Sequence, residues 1–227
     1  MAIGHDASSS YGGTVLISIS GVDCAGKTSQ LKRLTAHLEA AGRRPVALWF
    51  RPGYSDLLDA LRAGVRRLRP QAMPHVSADR GAHEQAFRRP RVRRTWLAMA
   101  LMDSLVHYAA RIRALRLAGY TVICDRYIDD ALLDLTFKFP ELDGWSRAGI
   151  QAIRRLSPWP DPAILITLPH EEMVRRMKAK AEPFPDPPEV RTQRYAKYAE
   201  LADSGHYLVI DGTASVDAIH DTILANL

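Results

Sequence analysis

Asp23, Lys27 and Thr28 sit inside one glycine-framed octet, Gly21-Val22-Asp23-Cys24-Ala25-Gly26-Lys27-Thr28. The spacing is Gly, four residues, then Gly-Lys-Thr, and each residue type in it suits the handling of phosphate. Gly21 and Gly26 let the backbone curl so that successive N–H groups point at one anion. The amides of this loop, those of Cys24, Ala25 and Ser29 included, are the expected donors to the phosphates of a nucleoside triphosphate. Lys27 can reach the β- and γ-phosphates, and the Thr28 hydroxyl can ligate Mg²⁺. A glycine turn with a chance lysine is the alternative.

Such a loop works only between a strand and a helix. The β-branched run Thr14–Ile19 reads as a buried strand ahead of it. Leu31, Leu34, Thr35 and Leu38 recur at helical spacing behind it. The helix adds its unpaired N–H groups and the positive end of its dipole.

Further charged side chains stand where later strands end. Pro45–Phe50 reads as a second strand running into Arg51-Pro52-Gly53-Tyr54. Open parallel sheets bind ligands at that edge, so Arg51 is either a phosphate clamp or a plain surface arginine. Leu57 to Leu68 has a short amphipathic period, and Arg69 to Pro90 loses it. The run Arg88–Arg94 is a solvated face, an acceptor-phosphate contact or a partner surface, with too few aromatics for stacked bases. Trp96–Leu117 reads as a long helix carrying Asp103, Ser104, Val106 and His107, the last a structural histidine. Tyr120–Cys124 is a third strand tipped by Asp125-Arg126-Tyr127. A carboxylate there can act as a Mg²⁺ ligand, with Arg126 facing incoming phosphate; a structural ion pair is the alternative.

Ile150, Ile153 and Leu156 mark a further helix, and Ala163–Leu168 a fourth strand after Pro160-Asp161-Pro162. The helix Glu171–Lys180 bears Arg175, Arg176, Lys178 and Lys180 and breaks at Pro183–Pro188, which suggests a flap over phosphates rather than a solvated helix. Glu189–Ala202 is helical, with Tyr195 and Tyr198. Strand His206–Ile210, the turn Asp211-Gly212-Thr213 and a helix from Val216 to Leu227 close the chain. Strands alternating with helices imply an α/β fold: a three-layer P-loop NTPase architecture, with a five-stranded, mainly parallel sheet flanked by helices. Residues 1–13 read as a flexible tail and 14–227 as a single domain, with a lid near 171–190.

A chain of 227 residues with 47% hydrophobic and 25% charged residues suits one soluble α/β domain. It has neither the apolar run of a membrane span nor a secretory signal at its start. The cysteines Cys24 and Cys124 belong to no metal-ligand cluster and read as reduced thiols of a cytoplasmic protein. The net charge of +6 favours acidic partners. Nucleic acid is disfavoured because no separate basic module exists. The expected partners are a small-molecule phosphate acceptor and, at most, a second copy of the chain as a homodimer.

Together these residues resemble the thymidylate kinases and, more broadly, the nucleoside monophosphate kinases. The resemblance rests on the Gly21–Thr28 loop, Arg51-Pro52-Gly53 after the second strand and Asp125-Arg126-Tyr127. Pro160-Asp161 before the fourth strand, the Arg176–Lys180 lid and Ile210-Asp211 extend it. It implies ATP and Mg²⁺ as cofactors, Thr28 and Asp125 toward the metal, and Asp211 near the adenine. It implies Arg51, Asp125, Arg126 and Tyr127 on the acceptor side. The departures also concern the acceptor. Where the family carries an Asp-Arg or Ala-Arg pair this chain has Asp103-Ser104. A polar position two residues on is Val106, and a small polar pair after Asp-Arg-Tyr is Asp130-Ala131. The donor side is retained and the base-reading side is not, which points to an acceptor other than thymidylate.

The expected mechanism is phosphoryl transfer by positioning and charge neutralisation. Lys27 and the loop hold the donor, while Arg176 and Lys180 close over the transferring group. Arg51 and Arg126 orient the acceptor, and Asp23 helps set metal or acceptor geometry. A phosphate nucleophile needs no base; a hydroxyl acceptor would need Asp23 or Asp125. Two alternatives remain: a kinase acting on a sugar or metabolite hydroxyl, and a nucleotide-binding regulator without turnover.

Overall fold

A computed structural model describes residues 14–53, 55, 67, 89–140, 143–180 and 187–227. The 1–13 tail, most of the readings between 54 and 88, and the proline-rich break from 181 to 186 lie outside the described residues.

The core element is a five-stranded sheet of β1 (Leu16–Gly21), β2 (Pro45–Trp49), β3 (Thr121–Asp125), β4 (Ala163–Thr167) and β5 (Leu208–Asp211). Its order is β2-β3-β1-β4-β5 and every pairing is parallel. The central strands are near-continuous apolar runs because helices cover both faces of a parallel sheet. Ile19, Val122, Ile123 and Ile164 to Ile166 are fully buried. Strands β1, β3 and β4 are buried along nearly their whole length, while the outer strands β2 and β5, each paired on one side only among the described residues, stay partly exposed.

The order of strands explains where the site lies. From β1 the chain crosses over β3 to reach β2, while from β3 it crosses back over β1 to reach β4. Neighbouring strands whose connections leave in opposite directions open a crevice at their carboxyl ends, and ligands bind in it. Register sets Ile19 beside Asp125, and Asp125 beside Trp49, at that edge.

The chain forms two compact units. One comprises the sheet with the described residues within 1–49, 112–127 and 159–227. It holds α1 (Lys27–Ala40), and its core runs from Leu34 through Ile17 and Ile164 to Met173, Tyr198 and Ile223.

The other unit comprises the described residues within 50–111 and 128–158. Its first helix, α2 (Pro90–Leu105), starts earlier than the apolar period suggests. Pro90 occupies its first turn, where proline is favoured, and Arg91, Arg93 and Arg94 continue it as good helix formers. Part of the arginine run is therefore helix. A π-helix over Val106–Arg111 ends this unit's share of the stretch, and α3 (Ile112–Leu117), next in the chain, belongs to the sheet unit. The wider turn carries His107 and Tyr108 inward, and His107 stacks on Phe50 with centroids 4.0 Å apart. Burial, with Arg111 nearby, pushes the His107 imidazole down to about 4. It is the structural histidine expected.

Helix α4 (Ile128–Lys138) opens with Asp129 and Asp130, acids suited to the positive end of its dipole. Helix α5 (Gly144–Leu156) is fixed at its start by a reciprocal Asp143–Ser146 capping box. Back in the sheet unit, α6 (His170–Lys180), α7 (Pro188–Ala202) and α8 (Val216–Leu224) complete the described elements. Neither Cys24 nor Cys124 forms a disulfide among the described residues, and no described helix is long and apolar enough to cross a membrane.

Candidate active site

The octet forms a strand–loop–helix turn between β1 and α1, and its glycines have different reasons. Gly21 has φ 141°, and a Cβ on it would lie 2.1 Å from the Ile166 carbonyl oxygen, so close packing on β4 demands glycine there. Gly26 has φ 91°, and a Cβ there would meet no atom within 4 Å, so backbone conformation alone demands it. Cys24 adopts φ 59°, a left-handed conformation strained for a non-glycine residue.

Helix α1 begins with no side-chain cap and no acidic residue in its first turn. The positive end of its dipole therefore faces the loop without a compensating carboxylate. The Lys27 ammonium, almost fully buried, folds back to donate to Gly21 O at 2.9 Å and Val22 O at 2.6 Å. This places one cation inside a ring of loop backbone.

The loop opens into a cavity of about 490 Å³. Its lining brings together most of the donor-side residues named from sequence: Asp23, Cys24, Ala25, Gly26, Lys27, Thr28 and Ser29 from the loop, Asp125 and Arg126 from the end of β3, and Arg176 and Lys180 from α6. Arg126 takes φ 73° and its amide donates to Ile19 O, which ties the tip of β3 to β1. Its guanidinium donates to Asp23 Oδ1 at 2.8 Å and to the Tyr198 hydroxyl at 2.6 Å. Burial would raise the Asp23 carboxyl, but Arg126 and Lys27 beside it hold it below the usual carboxylate range. Asp23 is thus an anion, already paired, among several cations.

Arg176 donates to Gly212 O at 3.1 Å and, at 3.4 Å, to Cys24 O, so α6 is stitched to the loop. Glu172, one helical turn earlier, accepts from Arg175 and from Arg176 at 2.6 Å. Those two arginines pull its carboxyl down to about 2. Glu172 thereby braces Arg176 from below.

The remaining predicted residues have other surroundings. Tyr127 is buried, and burial drives its hydroxyl well above the usual phenol range. Gly21 and Tyr127 are outside the cavity lining, as is Asp211, whose carboxylate caps its own turn by accepting from Thr213 N and Thr213 Oγ1, both at 2.8 Å. Those bonds hold its carboxyl below the usual range.

Arg51, Asp103, Ser104 and Asp130 belong to the other unit. There Asp103, nearly fully buried, accepts from Gly53 N at 3.1 Å and from the Ser55 hydroxyl. It clasps the turn that carries Arg51, where Gly53 has φ 83° and a Cβ would strike Trp96. Arg51 itself is over half exposed and lies 3.7 Å from Asp134. Ser104 is buried and donates to Ala100 O of its own helix at 2.7 Å. Asp130 and Ala131 are buried as well.

Two residues, one lining the cavity and one bonded to its lining, were missed by sequence reasoning. Trp49, 62% exposed, lines the cavity from the end of β2. Its place two residues before the strand-end arginine Arg51 was a signal, masked because an apolar residue closing a strand reads as core. Tyr198 gave no signal beyond a helical aromatic, since its relevance depends on a contact spanning 72 residues of sequence. Among the described residues no cluster of three His, Cys, Asp or Glu could hold a metal.

Comparison with known proteins places this geometry in context. No family model matches the chain. A thymidylate kinase of Bifidobacterium longum strain NCC 2705 is 30% identical over 226 residues, covering 94% of this chain and 97% of that protein. A thymidylate kinase of Solidesulfovibrio magneticus is 28% identical over 221 residues, covering 92% and 96%. The solved structure of a thymidylate kinase from Ehrlichia chaffeensis matches the fold with TM-score 0.52, at 18% identity, over 94% of this chain and 97% of that one. With identity of this level spread over nearly the whole length, and a glycine loop opening on a cation-lined cavity, the chain belongs to the thymidylate kinase family of P-loop nucleoside monophosphate kinases.

Proposed function

We propose that the protein transfers the γ-phosphoryl group of ATP to a (deoxy)nucleoside monophosphate or a related phosphorylated metabolite, and that dTMP is not its best acceptor. The observation that carries the first part is one cavity lined by Lys27, Thr28, Asp125, Arg126, Arg176 and Lys180. Four cations around a glycine loop suit a site where several phosphate charges meet, and an anionic acceptor explains their number better than a nucleotide-binding regulator does.

Each side chain has a role in this reading. The loop amides and Lys27 bind the donor phosphates, with the ammonium leaving Gly21 O and Val22 O for phosphate oxygens. The Thr28 hydroxyl and the Asp125 carboxylate are hard oxygen donors on the cavity wall, a set that fits Mg²⁺ held jointly with phosphate oxygens. When bound there, such an ion would neutralise charge on the phosphates. Arg126, held by Asp23, faces the acceptor phosphate. Arg176 and Lys180 approach the group in transfer, where fixed positive charge lowers the barrier most. The acceptor phosphate is already ionised at neutral pH, so no general base is required.

The second part rests on the other unit. A thymine-reading site needs polar groups able to hydrogen-bond the base. Ser104 gives its one donor proton to its own helix, Asp103 turns its oxygens to the arginine turn, and Val106 has no polar group to offer. A site lacking those partners loses the discrimination that hydrogen bonds to a base provide. A screen of nucleoside monophosphates and phosphosugars with Mg·ATP, read as ADP release, tests both parts. Turnover of some acceptor at a rate well above that of dTMP is expected. Absence of acceptor-dependent ADP release throughout would remove the kinase reading.

A further inference from the structure

We propose that Tyr198 is a positioning residue for Arg126, fixing the plane of its guanidinium in the phosphate cavity. This rests on the reading of the cavity as a phosphoryl-transfer site. Arg126 holds a left-handed backbone at φ 73°, a conformation that persists in a non-glycine residue only where the surroundings over-determine it. Two contacts do so at the side chain: one nitrogen donates to Asp23 Oδ1 at 2.8 Å, the other to the Tyr198 hydroxyl at 2.6 Å. A planar fork gripped at both ends keeps its orientation, whereas one gripped at a single end can swing.

The two grips differ in kind. Asp23 lies in the glycine loop, next to Cys24 with its strained φ of 59°. Tyr198 is 1% exposed and packs in the hydrophobic core with Met173, Ile210 and Ile219, so its hydroxyl is a fixed point. Its helix, α7, follows α6 in the chain, and α6 carries Arg176 to the loop carbonyl of Cys24. Both helices after β4 therefore bear on the cavity lining, α6 through Arg176 and Lys180 and α7 through the Tyr198 bond to Arg126. A buried tyrosine hydroxyl ordinarily needs a partner, which a purely structural role would also satisfy. The two roles separate experimentally, because the structural one predicts lost stability and the positioning one predicts lost turnover.

Tyr198→Phe removes the hydroxyl and keeps the ring. A hydrogen bond to a charged group is lost, and kcat for the best acceptor should fall about tenfold or more while KM for ATP stays within about twofold. In an Arg126→Lys background, where no fork spans both anchors, the same substitution should change kcat less than about twofold. Equal losses in both backgrounds, or none in the wild-type background, overturn the proposal. A second readout is independent of turnover. The Arg126 Nη–H signals in low-temperature nitrogen-15 spectra, assigned by their disappearance in Arg126→Lys, should exchange with solvent faster in Tyr198→Phe, because Nη1 is the atom that the Tyr198 hydroxyl holds. Unchanged exchange in a variant with the wild-type melting temperature refutes the positioning role. Absent turnover by the wild-type protein with every acceptor would instead refute the kinase reading, and the exchange measurement would still decide the role of Tyr198.

Discussion

Replacing Lys27 with methionine separates the two duties of that side chain. The stem is almost fully buried, and methionine fills it with similar volume while deleting the charge. In the ligand-free loop the ammonium satisfies two carbonyls, Gly21 O at 2.9 Å and Val22 O at 2.6 Å. Hydrogen bonds from a charged donor are worth about 1.5–3 kcal/mol each when buried, and Gly21 and Val22 are buried, but deleting the ammonium also removes the cost of holding its charge away from water. The stability loss should therefore be about 1–2 kcal/mol in total, and for a chain of this size a melting temperature lower by about 2–8 °C. The catalytic loss should be larger. A fixed charge aimed at the phosphates in a partly desolvated site contributes about 3–4 kcal/mol to the transition state, so kcat should drop by roughly 10²–10³-fold. Thermal unfolding and coupled ADP release on the same preparation give both numbers. Turnover within a few-fold of wild type, in a protein melting within that range, would refute the assignment of Lys27 to the donor phosphates.

Three further outcomes are expected. Arg176→Ala combined with Lys180→Ala should lower kcat far more than it weakens ATP binding by calorimetry, because these charges count most in the transition state; a loss confined to ATP affinity would make α6 a passive binding surface. Asp103→Asn puts an amide N–H₂ against one of the two donors, Gly53 N or Ser55 Oγ, that the carboxylate now accepts from. It should cost about 1.5–3 kcal/mol of stability and raise acceptor KM by loosening the Arg51 turn, and unchanged melting and KM would show that the clasp carries nothing. His107 stays neutral in the folded chain down to about 4 against 6.5 unfolded, so stability is full above pH 6.5 and falls as pH drops toward 4, while only the unfolded chain takes up the proton. The loss reaches on the order of 3 kcal/mol, and His107→Phe, which keeps the stack on Phe50, should remove that part of the pH slope in denaturant titrations; an identical slope would contradict it.

What the sequence disclosed follows from how local each feature is. The octet, the arginine and aspartate at strand ends, and the basic helix are short-range patterns. The cavity collects Asp23 to Ser29, Asp125, Arg126, Arg176 and Lys180 because a parallel sheet brings strand ends to one edge. Strand cores were visible in runs such as Ile164-Leu165-Ile166, while the edges were not: β5 begins at Leu208 rather than His206. An edge strand lacks the second neighbour that would extend it. The π-helix at Val106–Arg111 left no trace in the apolar period, since it answers to the packing of His107 on Phe50 across 57 residues. For the same reason Asp103 read as a candidate for the acceptor, although its oxygens serve Gly53 and Ser55. Gly21 was expected to be glycine for the phosphates, and its nearest constraint is instead the Ile166 carbonyl. Tertiary contacts of this length carry no local signature.

The most direct test of the central claim is a side-by-side measurement of kcat/KM for dTMP and for a panel of other nucleoside monophosphates and phosphosugars, with saturating Mg·ATP. Strong turnover of at least one acceptor and a dTMP value far below it are expected if Ser104, Val106 and Asp130-Ala131 stand where the base would be read. A dTMP value in the usual enzyme range of about 10⁴ M⁻¹s⁻¹ or more, exceeding every competitor, would contradict the claim.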